Sequence, residues 1–597
     1  RGLPMKKILL ATSLAGVFAV SQSAAMETRS DGPSAETLAM LDPVRRAVAL
    51  CSQRSGISTL DTRLKIATAM TMADAGSDVM PLFDDLPEFQ LSADSESDMV
   101  RGYFTQGIML TYGFNHHAAI RSFQAGQALE PDCAMCFWGE ALALGPNINA
   151  PMMPEAVAPA VAALNRAVEL RDNASPEGQA LIDALAVRYS DAPDADRAAL
   201  DLAYANAMLE VAARFPENDE IAVLAAEAAM DTSPWDYWEP GGQVSRGLVG
   251  DGVQLIETVL DRNLSHPQAA HLYIHLMENS GDPTKAEAAA DRLAEWIAPS
   301  SGHLNHMPAH IYYRIGRYAD SIRVNITATR ADEDYLASVG DDGLYRFGYY
   351  PHNVHFIVTS AQMAGDMPTA IRESVRLQRV LSADIAAQMA WVQPIHAAPY
   401  MAAAQFAAPE RILEMREADS RLPYVAAIRH YARATAYAQL RDAEGFAREL
   451  EALNAIRAEH DLSIMVEQGV PGPELLTLAE AVVRARFAYG NGDYDTAITL
   501  YQEAIALQDA LPYTEPPYWY YPVDQSLGAA FHRAGRHAEA KDAFMAALVR
   551  APANGWALYG LAEAERALGN EVEAAAADAA LERVWLGADN WLNMDRL

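Results

Sequence analysis

Residues 528–552 read GAAFHRAGRHAEAKDAFMAALVRAP. Gly528, Phe531, Gly535, Ala540, Phe544, Ala547 and Pro552 follow at gaps of 3, 4, 5, 4, 3 and 5. Apolar residues recur at i, i+3, i+4 and i+7 in AFMAALVRA, the period of a helix with one buried face. Glycine at 535 breaks the pattern and proline at 552 ends it. The stretch therefore predicts helix, turn, helix. Part of the spacing returns at Gly492, Tyr494, Ala497, Tyr501 and Ala504, and again at Tyr103, Gly107, Ala119, Phe123 and Pro131. Turn glycines recur at Gly281, Gly316 and Gly365.

These positions resemble the tetratricopeptide repeat (TPR), and the resemblance covers most of residues 97–575. It implies antiparallel helix pairs with small residues where they cross. One pair cannot bury its own apolar face, so pairs stack into a superhelix with a concave groove. Alanine-rich runs such as AAEAAM and AAAADAA agree, because alanine favours helix and permits close crossing. The expected fold is an all-α TPR-type solenoid. Its divisions are a signal peptide over 1–25, a helical cap over 26–96, a degenerate array over 97–420 and a second array over 421–597. Two aromatic connections, 234–240 (PWDYWEP) and 513–522 (YTEPPYWYYP), are expected to fold back on the solenoid. An insertion over 332–350 lengthens one repeat.

The chain has 597 residues, 51% apolar and 21% charged, too hydrophobic for a disordered polymer. Its 45 Lys and Arg face 79 Asp and Glu, a formal charge of −34. Nucleic acid and anionic membrane surfaces need a basic face, so neither is expected as a partner. Met5-Lys6-Lys7, the uncharged run 8–20 (ILLATSLAGVFAV) and Ser23-Ala24-Ala25 form the three parts of a secretory signal peptide. Cleavage before Met26 would remove Arg1, Lys6 and Lys7, leaving 42 basic against 79 acidic residues, or −37. The expected location is periplasmic or secreted, with no membrane insertion after cleavage. Phosphate-loop, dinucleotide, nucleophile-elbow, zincin and EF-hand motifs are all absent from the sequence, so no enzyme class is assigned.

Ten of the 15 histidines lie between His266 and His430. His271 and His306 each stand ten residues before a turn glycine, and His275 and His310 six before it. His303 and His352 stand thirteen before theirs, and His355 ten before Gly365. His430 is ten before Leu440, and His396 extends the series. The TPR resemblance implies that this stripe of the first helix faces the groove. His271, His275 and Glu278 share one helical face, as do His303, His306 and His310. The candidate metal ligands are therefore His271, His275, Glu278, His303, His306, His310, His352 and His355. Four of them, His271, His275, His306 and His310, form the expected cage, with His352, His355 or Glu278 replacing one or holding a second ion. This donor set suits a transition metal ion, copper or zinc first, then iron or manganese, and not calcium. Affinity is expected to fall as pH drops through about 6.5.

Two other readings stand beside it: a TPR scaffold for a protein or peptide in the groove, and a non-metal small-molecule binder. NHHAA at 115–119, GHLNHMPAHIY at 302–312 and YYPHNVHF at 349–356 also resemble a group of bacterial exported, histidine-rich TPR proteins, which implies no activity. Cys133 and Cys136 are expected as a local disulfide or an inert pair, with Cys51 left over. His116 and His117 beside them are a weaker copper candidate. Glu140, Glu227 and Trp138 sit in helices within reach of the groove and are expected to pack or face solvent.

Overall fold

The computed structural model describes residues 80–597, except 85, 297–300, 341, 342 and 344, together with 32–34, 37, 38 and 41. The expected signal peptide, Met26, Cys51 and most of the expected cap lie outside the described residues. Residues 80–84 and 86–97 are irregular chain beside the helix Asp98–Tyr112, not helix. Tyr103 and Gln106 hold that chain by hydrogen bonds to Met80, Pro81 and Phe83.

Among the described residues there is no strand, only two isolated bridges. The helices used below are labelled in chain order. The N-terminal ones are α1 (Asp98–Tyr112), α2 (His116–Leu129), α3 (Ala134–Ala143) and α4 (Asp219–Met230). The central ones are α5 (Pro267–Glu278), α6 (Gly302–His306), α7 (Pro308–Ile315), α8 (Tyr318–Val339) and α9 (Tyr350–Ala364). The C-terminal ones are α10 (Val523–Arg533), α11 (His537–Arg550), α12 (Gly555–Ala567) and α13 (Glu571–Val584). Three-residue turns, as between α1 and α2 or α10 and α11, force neighbours to run antiparallel.

The crossings have a common construction. Phe544 of α11 lies between Gly528 and Gly560, where a Cβ would come within 2.7 and 2.2 Å of its ring. Phe123 of α2 lies in the same way between Gly107 and Gly139, at 2.5 and 2.4 Å. A ring wedged between two bare backbones lets three helices pack closely, and any side chain at those glycines would push them apart. The chain is a TPR-type all-α solenoid.

The superhelix turns far enough for its last repeats to meet its centre. The Trp556 indole N–H donates to the Gln362 carbonyl at 2.8 Å, and the Leu586 N–H to the Ala364 carbonyl at 2.8 Å. Both aromatic connections fold back. Trp238 donates to the Leu276 carbonyl at 2.8 Å, and Tyr520 and His355 share a 2.7 Å hydrogen bond. Cys133 and Cys136 are joined in a disulfide at the start of α3. Among the described residues, no helix is long and apolar enough to cross a membrane.

Candidate metal centre

The centre forms where α5, α6, α7 and α9 converge. On α5, His271, His275 and Glu278 repeat at i, i+4 and i+7 and point one way, all buried. The next first helix is interrupted at Met307. Pro308 has no N–H for the Leu304 carbonyl, so α6 ends and α7 begins there.

Two groups of three imidazoles result. His271, His275 and His303 bring their ligand atoms within 4.8 Å of one another, and so do His306, His310 and His352. His271 Nε2 and His303 Nε2 are 3.2 Å apart, and His306 Nε2 and His310 Nε2 2.8 Å. The expected cage of His271, His275, His306 and His310 is therefore replaced by two trios. His303 and His310, seven residues apart across the Met307 interruption, fall in different trios. His303 instead joins the helix before it. His355 enters neither trio: its Nε2 meets the Tyr520 hydroxyl. His396 and His430 also lie apart, bonded to the Leu381 carbonyl and to Glu449. His116 bonds the Ala143 carbonyl and Asn147.

Glu278 stands behind both trios. Its Oε1 accepts from His275 Nδ1 and its Oε2 from His310 Nδ1, each at 2.7 Å. Two side-chain amides complete this outer ring. Gln268 donates through Nε2 to the Glu227 carboxylate at 3.1 Å, so the oxygen it turns to His271 Nδ1, at 3.0 Å, must accept. Asn325 donates to the Ser321 carbonyl at 2.8 Å and so offers its oxygen to His306 Nδ1 at 2.6 Å. His271, His306, His275 and His310 thus carry hydrogen on Nδ1 and turn Nε2 inward. Oxygen acceptors behind Nδ1 are what metal-bound histidines use to fix ring and tautomer.

Burial, then repulsion from neighbouring imidazoles, pushes His271, His303, His306 and His352 well below the ordinary histidine range. Burial also lowers His275, against the opposing Glu278 carboxylate. These rings are neutral near pH 7, the form that binds metal. His310 differs. Burial disfavours its charged form, but Glu278 outweighs burial and raises it. Glu278 itself is held below the usual carboxylate range, because His310 and His275 overcome its own desolvation.

Aromatic rings line the trios. Phe114 lies 4.7, 5.9 and 5.2 Å from His271, His275 and His303, centre to centre. Phe356 lies 4.9, 4.8 and 5.1 Å from His306, His310 and His352. Trp235 meets His275 at 5.1 Å and Tyr349 meets His303 at 4.9 Å. Phe114 and Trp235 have φ of 54° and 61°. The left-handed region costs a bulky L-residue roughly 1–2 kcal/mol, and such strain concentrates at functional sites.

Asp332 braces the α6 and α9 side. It accepts from Tyr345 and from Asn353, both at 2.8 Å, while the Tyr345 hydroxyl meets the His303 N–H at 3.3 Å. Burial pushes Asp332 up to about 7 against these hydrogen bonds. Gly302 makes room, since a Cβ there would stand 1.8 Å from the Asp332 carboxylate. Sequence reading missed Gln268, Asn325, Asp332, Phe114 and Phe356. It expected Glu227 to pack or face solvent, whereas the buried Glu227 carboxylate accepts from Gln268.

No family model and no curated relative matches the sequence. Solved structures similar to the chain include the human IFIT1 dimer with PPP-AAAA, at 13% identity over 82% of this chain and 92% of that one, TM-score 0.28. Yeast Tom70 matches at 12% over 82% and 92%, TM-score 0.26, and the P58(IPK) TPR domain at 13% over 81% and 92%, TM-score 0.19.

Proposed function

We propose that this solenoid is a metal-binding protein whose central chamber holds two transition-metal ions, one in each histidine trio. The observation that carries the reading is the convergence of two trios of imidazoles, each with its ligand atoms within 4.8 Å of one another; in one of them His306 Nε2 and His310 Nε2 are 2.8 Å apart. Both rings give their Nδ1 hydrogen to an oxygen, so two nitrogen lone pairs face each other at that distance. A shared proton satisfies that contact as it stands, and a metal ion at the usual metal–nitrogen distance satisfies it once the nitrogens open to about 3.3–3.6 Å. The ring spacings bracket what a shared ion needs, so small shifts of the rings would be required on binding. Imidazoles bound at about 2.0–2.1 Å, with nitrogen about 1.2 Å from the ring centre, set ring centres about 5.2–5.6 Å apart. The observed separations are 4.8, 5.0 and 6.2 Å in one trio. They are 4.7, 4.8 and 5.6 Å in the other.

An all-imidazole donor set favours copper or zinc over manganese or calcium. A bound ion would supply Lewis-acid or redox capacity; the chain's own residues orient the ligands, and burial favours the neutral form of five of the six. The groove where a TPR scaffold would lay a peptide is filled here by buried histidines and by Tyr520. Elemental analysis and calorimetry test the reading on wild type, His271→Ala and His306→Ala. Two ions in wild type and one in each variant are expected. No transition metal at neutral pH, or variants that bind like wild type, would end it.

A further inference from the structure

We infer that both trios are built for three-coordinate copper(I) and against zinc(II), and that Phe114 and Phe356 set this choice. The inference rests on the two-ion reading above and adds the identity and charge of the ion.

The first argument is the fourth position. Phe356 is nearly equidistant from the three rings of its trio, at 4.9, 4.8 and 5.1 Å, so its ring lies on the trio's axis. An ion in the plane of the three nitrogens would sit about 3.2 Å from each ring centre, given the usual metal–nitrogen distance. The phenyl centre then stands about 3.7 Å above that ion, within the distance at which an aromatic ring attracts a cation. An oxygen ligand at about 2.0–2.2 Å on that side would lie inside the phenyl ring. Phe114 caps the other trio in the same way, less symmetrically, at 4.7, 5.2 and 5.9 Å. Zinc(II) takes four ligands, the fourth commonly water. Copper(I) has a closed shell and is satisfied by three nitrogen donors.

The second argument is charge. Among the described residues one carboxylate, Glu278, is hydrogen-bonded directly to trio imidazoles, those of His275 and His310. Glu515 lies near His310 but is 3.9 Å from the buried Arg314 guanidinium, which cancels it. Glu227 and Asp332 reach the trios only through Gln268 and Tyr345. Two divalent ions with Glu278 would bury a net charge of +3, two monovalent ions +1. Unbalanced buried charge is strongly disfavoured, so the chamber selects the lower total.

The experiment uses the full chain without oxygen. Copper(I), kept reduced by ascorbate, is titrated against the chromophoric chelator bicinchoninate, and zinc(II) against a zinc indicator. X-ray absorption then counts the ligands of the copper-loaded protein. Two copper(I) ions, zinc(II) weaker by about a hundredfold or more, and three nitrogen neighbours with no fourth are expected. Phe356→Asn, which opens the axis and offers an oxygen, should move the preference toward zinc(II) by about tenfold or more at one site. Should that variant fail to fold, the wild-type ligand count still decides. Zinc(II) binding as tightly as copper(I), or a four-coordinate ion, would overturn this inference and leave the metal centre standing. Binding of neither ion would overturn the centre itself.

Discussion

Glu278→Gln is the sharpest perturbation the centre offers, because it changes one oxygen to an NH2 group and keeps the shape. In the native chain the two carboxylate oxygens accept from His275 Nδ1 and His310 Nδ1, each at 2.7 Å. An amide has one acceptor, so one ring must face a donor and turn its hydrogen to Nε2, where the ion belongs. The lost charge acts on both ions. From 2.7 Å behind Nδ1, through the ring to the ion, is about 6–7 Å, which at an effective dielectric constant of 20 is worth about 2–3 kcal/mol per unit charge. That is about a hundredfold in affinity at each trio, the upper end of what outer partners of metal ligands contribute. The mispaired trio loses its tautomer as well. Calorimetry should therefore show one ion bound about a hundredfold more weakly, and the other undetectable. Circular dichroism should be unchanged, since the helices pack through residues elsewhere. Two ions bound within threefold of wild type would refute the reasoning about Glu278, whatever the metal.

Single-site changes should separate the two trios from their neighbours. His352→Ala should remove one ion, while His355→Ala should leave both, because His355 bonds Tyr520 instead of a trio; dialysis followed by elemental analysis decides it. Asn325→Leu should weaken only the His306 trio by about 10–100-fold, the usual cost of losing an outer-ring acceptor, and equal weakening of both ions would count against it. On acidification, protons compete once the pH nears a ligand's own value. The His271 trio, with all three rings lowered, should keep its ion below pH 6.5, and the His306 trio, whose His310 is raised, should lose its ion first. One release step for both ions near 6.5, followed by a metal indicator, would contradict this. Gly560→Ala should cost about 1–3 kcal/mol by overpacking, since its Cβ would stand 2.2 Å from Phe544; an unchanged melting temperature would reject the wedge.

The fold was legible because its signal is local and repeated. The glycines at 107 and 528, each 16 residues before Phe123 and Phe544, report the same wedge in two distant repeats. Much of the site was legible for the same reason, since distance from a turn glycine fixes which face of a first helix a residue occupies. What failed was depth along the axis. Reading His303, His306 and His310 as one face was sound geometry, but a face does not say which residues share an ion, and the MP pair at 307–308 marked the interruption. The outer ring carries no such signal. Gln268 and Asn325 read as ordinary polar residues, and Phe114 approaches His271 from 157 positions away through a left-handed backbone that no pattern announces.

The number of histidine trios follows from the repeat. Thirteen, ten and six residues before the three turn glycines stand Gln268, His271 and His275, then His303, His306 and His310, then His352, His355 and Thr359. Each trio takes the ten and six positions of one helix and the thirteen position of the next: His271 and His275 with His303, His306 and His310 with His352. The two trios are thus one arrangement translated along the solenoid by a single repeat. The series stops where the slots change chemistry. At one end Gln268 fills the thirteen position with an amide that ties Glu227 to His271. At the other, Thr359 fills the six position, and its hydroxyl donates to its own helix at the His355 and Phe356 carbonyls. His355 therefore has no partner on its own helix with which to begin a third trio, and Tyr520 takes its nitrogen instead. Two trios are what this register yields when three consecutive first helices carry histidine and the slots at both ends do not.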